Sequence, residues 1–194
     1  MPETKRLQMM INGEAVAEID IKASFLTIYH ARLGVPLKHT TDPYVEAGIQ
    51  DRSIAKSWVV HSFGKSSPQV RWPSKAIEDY KKETGLDLRK VAKAKDISDK
   101  MVAAFPELKR LERYSHIWAD LQFIEAEAII STMLMLMRTH GVPSLSMHDG
   151  IIVPRSRVGL TKAILTSQFR HFVGVEPMLT VEPEEQAEVA AIDL

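Results

Sequence analysis

Two stretches carry acidic residues placed where they could do chemistry. The first is Leu145 to Pro154, in which two short apolar runs flank His148, Asp149 and Gly150. Apolar, β-branched runs around an Asp-Gly pair predict a tight hairpin between buried strands, with a carboxylate at its tip. A charge held there is costly unless it is paired or binds a metal, although Asp before Gly is also a common turn residue. The second stretch is Leu7 to Ile21. Asn12-Gly13 is a strong hairpin signal because both residues tolerate positive φ. The return strand ends at Asp20, with Glu18 two residues earlier on the same face. Ala23 to Leu33 then predicts a helix closed by Gly34. Two carboxylates at the ends of two strands suit phosphoryl transfer with two Mg²⁺ ions about 4 Å apart. Mg²⁺ needs few carboxylates, since water and substrate phosphates complete its shell.

A third group is cationic. Asp51 is a good helix cap and Gly64 a good stop, so Arg52 and Lys56 share one helix face. Two cations one turn apart repel, and either a triphosphate or a neighbouring acid must favour them.

The 194 residues contain no cysteine, which excludes a disulfide framework and thiolate zinc sites and fits a reducing cytoplasm. No signal peptide is expected, and the apolar run Ile129 to Met137 is too short to span a bilayer. The net charge is zero but unevenly spread. Residues 52–113 hold 15 Lys and Arg against 8 Asp and Glu, and residues 182–194 hold five acids and no base. A basic middle is consistent with contact to a polyanion, or with a solvated helical insert.

Around these groups the elements read as strand, helix, helical insert, long helix, hairpin, helix and strand. Helices are expected near Pro43, over Arg52 to Gly64, Ser74 to Thr84 and Ile97 to Phe105, through most of Glu107 to His140, and over Arg157 to Val173. Met178 to Val181 reads as the last strand. In the long helix, Ile117, Leu121, Ile124, Ala128 and Met135 form a stripe, with Met133, Met135 and Met137 as core filling. The expected fold is α+β: a ferredoxin-like, split βαβ domain over residues 1–183, with a basic helical insertion at about 42–115. Residues 184–194 are expected to be a disordered acidic tail.

The motifs resemble those of family A DNA polymerases. Glu18-Ile19-Asp20-Ile21-Lys22-Ala23-Ser24-Phe25 resembles motif A, a strand ending in a metal-binding Asp and followed by a helix. Arg52 and Lys56 resemble the phosphate-binding pair of motif B, and Met147-His148-Asp149-Gly150 resembles motif C with its second metal-binding Asp. The three occur in the family's order, and the likeness is to short palm proteins of phages and mobile elements. It implies template-directed nucleotidyl transfer in DNA replication, with Asp20 and Asp149 holding two Mg²⁺. It also implies that His148 acts beside them and that Arg52 and Lys56 take the deoxynucleoside triphosphate. Gln122 would contact the DNA primer-template. Phe25 stands where the family has an acidic residue that excludes ribonucleotides, so a ring would form the steric gate. Val60 replaces a base-stacking aromatic, and Gly150 replaces the usual Glu. A separate thumb or exonuclease subunit is an expected partner. The alternative is a degenerate or split palm that binds nucleic acid or a polymerase subunit without activity of its own.

Overall fold

Asn12 (φ 54°) and Gly13 (φ 81°) both take the left-handed backbone, so the chain reverses in two residues. That reversal starts the sheet. The computed structural model describes residues 3–37, 42–113 and 117–183, and the acidic tail expected from residue 184 lies outside them.

In chain order, helix α1 (Glu3–Arg6) leads to strands β1 (Met10–Ile11) and β2 (Glu14–Ile21) and helix α2 (Ser24–Arg32). Helices α3 (Pro43–Glu46), α4 (Arg52–Gly64), α5 (Ser74–Thr84), α6 (Leu88–Val91) and α7 (Ala94–Ala104) follow. A 3₁₀ helix (Pro106–Arg113) precedes the long α8 (Ile117–His140). Strands β3 (Leu145–Met147) and β4 (Gly150–Pro154), a 3₁₀ turn (Arg155–Arg157), α9 (Val158–Val173) and β5 (Leu179–Glu182) complete the order. Asp42, Asp51 and Asp87 start α3, α4 and α6 by accepting backbone N–H groups, and Gly85 (φ 76°) ends α5. Pro106 cannot continue α7, so the chain tightens into the 3₁₀ helix.

The chain forms two compact units. The first combines residues 1–22 with 125–194, and the second is the continuous stretch 23–124. The first unit holds an open sheet of five antiparallel strands in the order β1-β2-β4-β3, with β5 paired to β2. This makes the fold α+β. Helix α9 packs on β2 and β4, and its core includes Val16, Ile19, Ile21, Ile151, Val153, Leu165 and Phe169. The second unit is helical. Its core gathers Tyr29, Phe63, His30 and Phe105 in edge-to-face ring contacts, with Trp58 donating its indole N–H to the Gln69 carbonyl at 2.8 Å.

Two expectations fail. All of β4 is buried, but β3 is largely exposed because it is an edge strand that pairs only with β4. Of the three methionines expected to fill the core, Met135 and Met137 are exposed and Met133 is only half-buried, and the buried line of α8 runs through Leu121, Glu125, Ala128, Ile129, Thr132 and Leu136. Between Ala128 and Met137 nearly every residue is apolar, so hydrophobic periodicity could not select a face. Among the described residues no helix is long and apolar enough to cross a membrane.

Candidate functional site

The two aspartates lie in the same unit, Asp20 on β2 and Asp149 in the turn that leads into the neighbouring β4. Asp20 is directly opposite Gly150 in the β2–β4 ladder, and the Ile21 N–H donates to the Asp149 carbonyl at 3.0 Å. Opposed antiparallel residues lie about 5 Å apart and successive ones about 3.4 Å, which puts the Cα atoms of Asp20 and Asp149 about 6 Å apart. Both residues are half-buried.

Local backbone explains how the carboxylates reach these positions. Met147 pairs with Gly150, so His148 and Asp149 form the whole connection of the hairpin. His148 takes the strain of this turn at φ 45° and is exposed. Gly150 is therefore the first residue of β4, and its φ is not positive. It is a glycine for another reason: a Cβ there would collide with the Asp20 carboxylate. The sequence pattern assigned Gly150 to the turn; the structure assigns it to making room for Asp20. On the other strand, three residues after Asp20, Ala23 also takes a left-handed backbone (φ 48°) where the strand passes to α2. Non-glycine residues in that region cost free energy and cluster at functional sites. Here one lies close to each aspartate in sequence.

Glu18 shares this face of β2 with Asp20, and it is fully engaged. Arg6 donates to both of its carboxylate oxygens, Nε to Oε2 at 2.9 Å and Nη2 to Oε1 at 2.7 Å. The pair matters because Glu18 is buried and lies directly opposite Glu182 on β5, a like-charge arrangement that destabilises a sheet. Sequence reading missed Arg6, because no local pattern ties a residue ahead of the hairpin to Glu18. Arg6 comes from helix α1 and not from a continued strand, since β5 already occupies the places opposite Glu18 and Ile19. Glu125 of α8 is also buried in this unit.

The donor set fits Mg²⁺ and not a closed cage. Among the described residues no group of three or more His, Cys, Asp or Glu side chains is arranged to hold a metal. Two carboxylates, one near the end of β2 and given space by a glycine, the other in the turn before β4, meet the smaller demand of an ion that keeps water and phosphate ligands.

The remaining predicted residues lie in the second unit. Arg52 and Lys56 share the exposed face of α4, with Val60 one turn further on. The Arg52 Nε donates to Asp42 at 2.8 Å, and the guanidinium sits 5.1 Å from the centre of the Tyr44 ring. A neighbouring acid thus balances Arg52, while Lys56 makes no ion pair among the described residues. Phe25 is half-buried, edge-to-face with Phe63 at 6.3 Å, and Gln122 is exposed on α8. No protein-family model matches the chain, and a search of curated proteins finds no match.

Proposed function

We propose that the protein is a minimal, ferredoxin-like polymerase palm carrying out template-directed DNA nucleotidyl transfer, in replication of a phage or mobile element. The observation that carries this reading is the placement of Asp20 on β2 beside Asp149 in the turn that leads into the adjacent antiparallel β4, with Gly150 leaving room for the Asp20 carboxylate. Strand order supports it too. The run β5-β2-β4-β3, antiparallel throughout with α9 packed on its central strands, is the order expected of a split βαβ sheet.

In this reading Asp20 and Asp149 hold two Mg²⁺, and His148 orients the turn or touches the primer end. When bound, Mg²⁺ supplies the charge that activates a primer 3′-hydroxyl and stabilises the leaving pyrophosphate. Arg52 and Lys56 neutralise the triphosphate of an incoming deoxynucleotide, because phosphoryl transfer depends on positioning and charge stabilisation. Phe25 discriminates the sugar by bulk, and Gln122 meets the primer-template. A thumb supplied by a separate subunit would strengthen the grip on duplex, which rests mainly on backbone contacts.

The test is primer extension with purified protein, Mg²⁺, a primed template and four deoxynucleotides. Asp149→Asn keeps the size of the side chain and removes its charge. It should lower extension by more than about 100-fold, the usual cost of losing one preorganised electrostatic group, with an unchanged unfolding midpoint. Extension by Asp149→Asn at the wild-type rate would sink the mechanism. No extension by either protein would favour a palm that binds nucleic acid or a partner subunit without catalysis.

A further inference from the structure

From Ala128 to Met137, ten residues of α8 carry no charged side chain, in a chain that is 26% charged. Yet this stretch is not enclosed. Ile130, Leu134, Met135 and Met137 are each 40–52% exposed. A helix of this chain that faces water looks different: six of the eleven residues of α5 are charged. Exposed apolar side chains elsewhere, such as Val45, Val70 and Leu86, stand singly, which is ordinary for a protein surface. A helix that is apolar all round is ordinarily buried on every side. Depletion of charge together with enrichment in methionine is the composition of the centre of an interface. All of this stretch belongs to the first unit.

The exposed side chains are ordered as well as apolar. At about 100° per residue, Ile130, Leu134 and Met137 fall on one stripe of the helix, opposite the buried line through Ala128, Thr132 and Leu136. Positions 127, 130, 134 and 137 alternate steps of three and four, the spacing of a coiled-coil seam. Charge returns only at the ends of the stretch, with Glu127 before it and Arg138 after it. These two are opposite in sign and about three turns apart, so they stand on the same flank of the seam. An antiparallel copy of the helix matches this pattern. A two-fold axis midway between residues 132 and 133 sets Glu127 level with the partner's Arg138, each about 8 Å from the axis. The same axis puts Ile130, about 4 Å out, between the partner's Leu134 and the partner's Met137, at about 2 and 7 Å. The acid–base pair then forms twice, once at each end of the seam. A parallel pair would instead set acid against acid and base against base, which repels.

We propose that the outer face of α8 pairs with the same face of a second copy of this chain, as an antiparallel helix pair about a two-fold axis. The face is self-complementary in shape spacing and in charge, which a closed two-fold interface requires. Two helices in contact over about three turns bury less than about 1,200 Å² in total, at the low end of specific interfaces. The dimer is therefore weak, with a Kd on the order of 10 μM. It does not rest on the polymerase reading, since no residue given a role there lies between Glu127 and Arg138.

The experiment is sedimentation equilibrium of the full chain over about 1 to 200 μM, a range that brackets this affinity. The wild type should pass from monomer to dimer across it. Leu134→Glu places a charge at the centre of the seam and should stay monomeric throughout, with the unfolding midpoint of the dilute wild type. Met137→Lys, at a more exposed position of the seam, should raise Kd by at least about 10-fold, and it keeps the test open if Leu134→Glu fails to fold. Glu127→Arg and Arg138→Glu should each raise Kd by about 10-fold, because two attractive pairs become two repulsive ones. The double variant Glu127→Arg, Arg138→Glu should return to within about 3-fold of wild type, a rescue that only an antiparallel copy of the same face gives. A wild type that is monomeric at the highest concentration would overturn the dimer and leave the face to a different partner. A dimer that survives both seam variants unchanged would overturn α8 as its interface. Charge reversals without effect, or without rescue in the double variant, would overturn the antiparallel pairing.

Discussion

A methyl group at position 150 would meet the Asp20 carboxylate before any other side chain, and the backbone there needs no positive φ. These two facts give opposite signs in two backgrounds. In the wild type, Gly150→Ala should cost about 1–3 kcal/mol through overpacking, or drive Asp20 out of place. With Asp20→Ala already made, the same change should be neutral or stabilising by up to about 1 kcal/mol, because alanine restricts the unfolded chain. Urea denaturation of the four proteins in this cycle measures it, and a full-size cost in both backgrounds would show that the obstacle is the Ile19 carbonyl and not Asp20. The positions of the two aspartates were legible in the sequence because a two-residue turn and a strand end have local signatures. The crowding at Gly150 was not, since Asp-Gly is equally the signature of a turn and the neighbour that a side chain there would displace is 130 residues away.

At the scale of elements, the Arg6–Glu18 contact ties α1 to the centre of the sheet. The two side chains are unequally buried, 16% exposed for Arg6 and 3% for Glu18. Removing the arginine strands a buried carboxylate opposite Glu182, whereas neutralising the glutamate leaves an arginine that can turn toward water. Arg6→Ala should therefore cost about 3 kcal/mol or more, and Glu18→Gln clearly less. Equal losses in unfolding free energy would contradict this asymmetry. Capped helices were the most readable elements: Asp51 accepts from the Ser53 N–H at 2.9 Å and Gly85 stops α5, both as their residue types require. The buried face of α8 was readable at Ile117, Leu121 and Ala128 but not in its second half. An apolar helix with outward Ile130, Leu134 and Met137 carries no contrast from which a face could be inferred.

At the scale of the whole molecule, the core of the helical unit contains an ionisable group. His30 is 2% exposed, its Nε2 has no hydrogen-bond partner, and Nδ1 lies 3.9 Å from a Glu107 carboxylate oxygen. Burial holds its pKa below the ordinary 6.5, and Glu107 and Glu46 only partly oppose this. Burial lowers the more exposed His61 as well, against Asp79. A folded pKa below the unfolded one means that the unfolded chain binds more protons as pH falls. Stability present above pH 6.5 should therefore decline below it, by at most about 1.4 kcal/mol per pH unit for His30. His30→Phe should lose less stability than wild type between pH 7.5 and 5.5 in urea titrations; an equal loss would assign the decline to other groups.

The assembly of the sheet from both ends of the chain has a consequence in time. Asp20 and its partner Gly150 are 130 residues apart. At 5–20 residues per second a ribosome needs about 7–26 s to travel between them. Throughout that interval β2 has only the two residues of β1 to pair with, and its apolar Val16, Ile19 and Ile21 await β4 and α9. The helical stretch from Ala23 to Ile124 is synthesised whole in the meantime and can fold from local contacts. Translation thus makes the strand that carries Asp20 long before the strand that completes it, and a nascent chain crowded by its neighbours is most vulnerable to sticking there.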